Sequence, residues 1–178
     1  MPYSPRSRVR TPISLGSRSI RPKKDEQEFG LAKKEYILCP RCESVYFSKS
    51  WHHSFGEEKK GHLKESKRAR EKMCPACIMA RDGLFEGELL IILPSQDHEA
   101  RRDIINAVEN SDRLAQERDP MDRVIKTEIK PKMIRVLTSE NQLAVKIGKK
   151  LKASFRGSKL SIKHSKDEDI IRVKWEMT

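Results

Sequence analysis

Apolar and polar positions alternate most regularly in the last third of the chain. Val124 to Ile129 runs Val-Ile-Lys-Thr-Glu-Ile, and 132–138 continues through Met133, Ile134, Val136 and Leu137. This pattern predicts two strands turning at Lys130-Pro131. Ser139-Glu140-Asn141-Gln142 fits a capping box, with the serine oxygen on the amide at N3 and the glutamine reaching back. Leu143, Ala144, Ile147, Leu151 and Phe155 then form an apolar stripe at helical spacing, and Gly157 stops the helix. Leu160, Ile162 and His164 alternate along a third strand, 165–169 reads as a polar turn, and Ile170, Ile171, Val173 and Trp175 belong to a fourth. The predicted unit is ββαββ, an antiparallel sheet with one helix on one face.

Upstream the pattern is less regular. Residues 36–48 read as a short strand, a Cys-x-x-Cys turn and a second strand. Residues 56–72 are almost wholly charged, with Leu63 their one large apolar residue, so a helix there has no core-facing stripe and projects into solvent or against a partner. Residues 84–93 resemble a strand that Pro94 ends, and Ser95 is placed to cap a following helix. That helix runs from Asp97 to about Arg118, with Ile104, Ile105, Val108 and Leu114 near helical spacing, and Asp119-Pro120 stops it. The predicted α+β organisation is a basic arm over 1–35, a four-cysteine zinc ribbon with a charged insertion over 36–94, a linking helix over 95–120 and the ββαββ domain over 121–178.

Composition narrows the function. The chain is 36% hydrophobic and 36% charged, too poor in apolar residues for one large core, which favours small modules. Its net charge of +12 steers it toward polyanions, nucleic acid first and an anionic membrane next. No apolar run is long enough for a transmembrane helix, and the N-terminus lacks the apolar core of a secretory signal. A cytoplasmic monomer with no membrane partner is expected. Residues 1–24 carry Arg6, Arg8, Arg10, Arg18, Arg21, Lys23 and Lys24 with no acid, interrupted by prolines. This segment reads as an arm that orders on RNA, as a solvated tail, or as a transit peptide.

The strongest chemical signal is Cys39-Pro40-Arg41-Cys42 with Cys74-Pro75-Ala76-Cys77. A Cys-x-x-Cys turn points two thiolates at one position, and two such turns complete a tetrahedral zinc shell with no open position for water. A redox Cys-x-x-Cys needs one pair beside a βαβ pattern, which is missing, whereas an iron–sulfur cluster remains an alternative use of four thiolates. His52 and His53 are surplus as ligands. No Ser/His/Asp, paired-carboxylate or phosphate-loop arrangement is apparent, so no enzymatic activity is expected.

Tyr46, Phe47, Trp51 and Phe55 lie among Lys49, His52 and His53, so their rings either stack on unpaired bases or form a small core. The core suits Tyr46 and Phe47; Trp51 and His52 are taken as RNA contacts. Lys67, Arg68 and Arg70 in the insertion join them. On the C-terminal helix Lys146, Lys149, Lys150 and Lys152 lie off the apolar stripe and Arg156 follows it, making a basic face for RNA or an ordinary solvated one.

The two cysteine pairs, Ala80-Arg81-Asp82-Gly83, the run Leu143-Ala144-Val145-Lys146-Ile147-Gly148 and the terminal Arg172-Val173-Lys174-Trp175 resemble a family of small prokaryotic zinc-ribbon proteins. That family is similar to the N-terminal part of the large-subunit export adaptor named for nonsense-mediated decay. The likeness spans 36–178. It implies Cys39, Cys42, Cys74 and Cys77 as zinc ligands, ribosomal RNA and ribosomal proteins as partners, and a ribosome hibernation, maturation or subunit-guarding role. The chain departs from the usual ribbon in having Glu43 and Ile78, not glycine, after each pair. The second reading of the same residues is a zinc-ribbon transcription regulator that binds DNA or RNA polymerase, which the lack of a helix-turn-helix or ββα finger disfavours.

Overall fold

A computed structural model describes residues 36–53, 69–94, 97–165 and 169–177. The basic arm, Phe55 and the charged stretch with Lys67 and Arg68 lie outside the described residues. The fold is mixed α+β, with two sheets and three helices among the described residues.

The smaller sheet joins β1 (Tyr36–Leu38), β2 (Val45–Phe47), β3 (Ser50–His52) and β4 (Ala69–Glu71) in the order β3-β2-β1-β4. β2 and β3 form a hairpin whose loop is Ser48-Lys49, both left-handed at φ 49° and 69°, so the turn has the hand that a twisted hairpin requires. β4 comes from the charged stretch expected to project from the module; its end instead pairs in parallel with β1. Ile37, Tyr46 and Trp51 pack against Cys39, Cys74, Ala76 and Cys77 to form this module's core.

Helix α1 (Pro75–Asp82) follows, closed by Gly83 at φ +69°. Three residues later the chain enters β5 (Gly87–Ile92). β5 lies outside the small sheet and is the central strand of the larger one, whose order is β6-β7-β5-β9-β8. The other strands are β6 (Val124–Lys130), β7 (Met133–Thr138), β8 (Lys159–His164) and β9 (Ile171–Glu176). The expected antiparallel sheet is therefore corrected to a mixed one, because β5 bridges the two hairpins, antiparallel to β7 and parallel to β9. The boundary at 94 moves with it. Leu89-Leu90-Ile91-Ile92-Leu93 is continuously apolar, with Leu89, Ile91 and Leu93 buried in the core and Leu90 and Ile92 half-buried on the other face.

Helix α2 (His98–Arg118) is capped by Asp97, whose Oδ1 accepts from the amides of Glu99 and Ala100 at 3.0 Å, in place of the expected Ser95. It is not a free linker: Ile104, Val108 and Ala115 are buried in the main core, whereas Leu114 faces solvent. Helix α3 (Asn141–Ser154) buries Leu143, Ala144, Ile147 and Leu151 as the stripe predicts. Its capping box does not form. Ser139 Oγ accepts from the Arg123 amide at 2.8 Å and donates to the Met121 carbonyl at 2.7 Å, which ties the β6 entrance to the β7 exit. Two glycines let α3 sit close to the sheet. A Cβ on Gly87 would meet Ala144 Cβ at 2.8 Å, and one on Gly148 would meet Val173 Cγ1 at 2.7 Å.

Candidate metal centre

Cys39 and Cys42 sit on the turn between β1 and β2. The Cys39 amide donates to Ser44 O and the Glu43 amide to Cys39 O, each at 2.9 Å, which folds the turn back on itself. Glu43 takes φ +59°, the left-handed geometry for which glycine is the usual choice. The second pair is built differently. Cys74 is the N-cap of α1 and Pro75 occupies its first turn, so the Cys77 amide donates to Cys74 Sγ at 3.4 Å. The helix N-terminus adds positive potential under both sulfurs. The missing glycine after Cys77 is thus no defect, since Ile78 is simply helical.

The four Sγ atoms lie within 4.8 Å of one another. Cys42 and Cys74 are 3.6 Å apart, close to the roughly 3.8 Å edge of a tetrahedron with Zn–S near 2.3 Å. This group can hold a metal ion. Cys39, Cys74 and Cys77 are buried and Cys42 is half-buried. Further hydrogen bonds hold the sulfurs: the Cys74 amide donates to Cys39 Sγ at 3.4 Å, and Cys42 Sγ is bonded to Ser44 Oγ at 3.2 Å.

Without a metal the thiols share protons unevenly. The hydrogen bond with Cys74 pulls Cys42 well below the ordinary thiol range, while the same bond and burial push Cys74 up. Burial raises Cys77 to about 11. Arg123 completes the site. Its Nη1 lies 3.8 Å from Cys77 Sγ, and its Nε donates to Pro120 O at 3.0 Å. Burial opposes the guanidinium charge, but the sulfurs of Cys42, Cys74 and Cys77 outweigh it and hold the group firmly protonated. Arg41 also donates to the Cys77 carbonyl at 3.4 Å. A cleft of about 410 Å³ opens beside Cys42, lined by Ser44, His53, Asp112, Arg113 and Arg123 among others.

The four predicted ligands are brought together; the predicted RNA contacts among the described residues are spread over both modules. Trp51 is corrected from contact to core: it is 8% exposed and packs on Tyr46 at 5.5 Å between ring centroids. Its neighbours in β2 and the cysteine module enclose it. His52 stacks on Phe47 at 3.9 Å and lies 2.8 Å from Ser50 Oγ, and His53 meets the Glu117 carbonyl, so neither joins the cysteines. Arg70 is exposed on β4, while Lys149, Lys150 and Arg156 are exposed on and after α3, in the other module. Arg6, Arg8, Arg10, Arg18, Arg21, Lys23, Lys24, Lys67 and Arg68 lie outside the described residues. Sequence reasoning missed Arg123, which no motif distinguishes from the other cations. Among the described residues no helix is long and apolar enough to cross a membrane. Comparison with family models, curated proteins and solved structures finds no match.

Proposed function

We propose that this protein is a zinc-stabilised RNA-binding factor that associates with the ribosome, in a hibernation, maturation or subunit-guarding role, and that it catalyses no reaction. Four thiolates within 4.8 Å of one another suit zinc, and a shell closed by four protein ligands has no position for a reacting water. The metal's role is then to hold the small sheet together. The observation that carries the RNA reading is charge. The net +12 of the chain includes Lys146, Lys149, Lys150 and Arg156, exposed on a folded surface of α3 and its exit. The resemblance over 36–178 supports the ribosome as the place where that surface acts.

Sedimentation of a cell lysate through sucrose tests the reading. Co-migration with a ribosomal subunit at low salt, lost at high salt as released counterions dictate, is the expected result. A protein that stays at the top of the gradient in every growth phase refutes ribosome association. Preference for duplex DNA over ribosomal RNA in competition moves the assignment to the transcription reading. Metal analysis of the purified protein tests the ion, with one zinc per chain expected and iron as the overturning result.

A further inference from the structure

β8 is the edge strand of the larger sheet, and cations crowd it from both sides. On the sheet face away from the helices, Lys159 and Lys163 of β8 and Arg172 and Lys174 of β9 are all exposed. Lys163 stands directly opposite Arg172 in the antiparallel register. A like-charge pair in that position opposes strand pairing, so the sheet carries it at some expense of stability. On the other side, Gly148 of α3 faces Leu160 and Val173. Stepping about 100° per residue from Gly148 brings Lys152 and Lys149 onto the flank of α3 nearest β8. Lys152 confirms that direction by donating to the Ser158 carbonyl at the start of β8, and Arg156 is exposed in the same connection.

Among the described residues the nearby carboxylates offset this band only in part. Glu176 stands opposite Lys159 but forms its ion pair with Lys174, at 2.6 Å, and Glu88 is shared by Arg172 and Arg135. Asp169 stands at the tip of the hairpin, on the Lys163 side of the band. Among the described residues Lys149, Arg156, Lys159 and Lys163 have no acidic partner. Among the described residues the band has no exposed Phe, Tyr or Trp, since Trp175 is fully buried and Phe155 packs edge-on against it at 5.5 Å; its one exposed ring is His164, at the end of β8. Unpaired bases are held by stacking on such rings, whereas helical RNA is held through phosphates and shape.

From the juxtaposition of Lys149 and Arg156 with Lys159 and Lys163 around one sheet edge, we infer that the β8 edge is the RNA-contact surface and that it grips the phosphate backbone of double-helical RNA. The inference rests on the RNA-binding reading and specifies its surface and substrate class.

The test uses the full chain and a labelled blunt RNA duplex of about 16 base pairs, the span of a typical duplex-binding domain. Lys149, Arg156, Lys159 and Lys163 are changed together to Gln, and a control carries Lys126→Gln and Lys130→Gln on the opposite edge strand, β6. Each lost phosphate contact lowers the salt slope of log K by about one, so the band variant loses roughly three to four from the slope while the control stays close to the parent. Its melting temperature holds or rises, because the Lys163–Arg172 repulsion is relieved. A parent that binds no RNA sinks the RNA-binding reading itself. A parent that binds while the band variant binds equally well sinks only this surface. Edge-to-edge dimers of the variant with unchanged RNA affinity overturn the surface too, by assigning the lysines to protection of the edge. Tighter binding of a single strand of the same length overturns the duplex assignment.

Discussion

Removing the guanidinium beside the cysteines should weaken metal binding without unfolding the protein. Arg123 Nη1 lies 3.8 Å from Cys77 Sγ. One unit charge at that distance from one thiolate is worth about 4 kcal/mol at an effective dielectric constant near 20. Only part of this counts, because the guanidinium already faces an ionised Cys42 before the metal arrives. The difference between the metal-free and metal-bound states is what affinity reads. Outer-shell partners of metal ligands typically contribute 10- to 100-fold, or roughly 1.4–2.7 kcal/mol, and Arg123→Gln should fall in that range. Arg123→Lys keeps the charge but cannot hold Pro120 O and the sulfur together, so it should lie between. The assay is zinc competition against a chromogenic chelator at fixed pH and salt, with near-ultraviolet circular dichroism to confirm an intact core. Zinc affinity within twofold of the parent in both variants would refute the assignment of Arg123 to the centre.

Cys74→Ser should lose stoichiometric metal and melt the small sheet, since a structural metal supplies folding energy. Red-shifted emission from Trp51 and protease cleavage within 36–82 would report it, and a variant with full metal content and unchanged stability would contradict the ligand set. Gly87→Ala should destabilise the larger sheet by about 1–3 kcal/mol, because its Cβ collides with Thr138, Ala144 and the Glu140 backbone. Metal content should stay at the parent level, as measured on the purified variant, because Gly87 belongs to the other sheet. Metal affinity should also rise with pH. Cys74 and Cys77 are both raised by the metal-free fold, Cys77 to about 11, so both hold protons at neutrality and must lose them on binding. Release of at least these two protons gives a gain of about a hundredfold or more per pH unit, and an affinity flat between roughly pH 6 and 8 would contradict this.

The elements legible in the sequence were those fixed by local spacing. The alternation over 124–138 gave β6 and β7, and the stripe Leu143-Ala144-Ile147-Leu151 gave the buried face of α3. The cysteine pairs were legible for the same reason, since two residues three apart on one turn must face one point. What was hidden depends on partners far away in the chain. Gly87 pairs with Ile171 and Thr138, and nothing in Gly87–Ile92 announces which strands will flank it. Ser139 had two outlets for its hydroxyl, the helix amide at N3 and the backbone at Met121 and Arg123; tertiary contact took the second. Trp51 looked like a contact residue because its sequence neighbours are basic and polar. β-strand alternation instead turns Trp51 inward while Ser50 stays exposed and His52 lies across Phe47. Arg123 was invisible for a similar reason: its role appears only when the chain returns past Pro120 to the cysteines.

The position of the cysteine module bears on how metal and RNA are related. The module meets the larger one at a single end. Arg123 immediately precedes β6 and touches Cys77, His53 reaches the last turn of α2, and residues 84–86 join α1 to β5. β8 lies two strand spacings, about 10 Å, from β5, where the cysteine module joins the sheet, and four, about 19 Å, from β6. The core between them has its own buried residues, from Leu89 and Ile91 to Val173 and Trp175, and needs no sulfur. Chelation of the metal should therefore melt the small sheet and leave the β8 edge in place. Duplex RNA affinity through that edge should survive chelation within about twofold, given that sites so far apart and without shared partners behave additively. A large loss of affinity on chelation, reversed by added zinc, would relocate the principal RNA contact to the cysteine module.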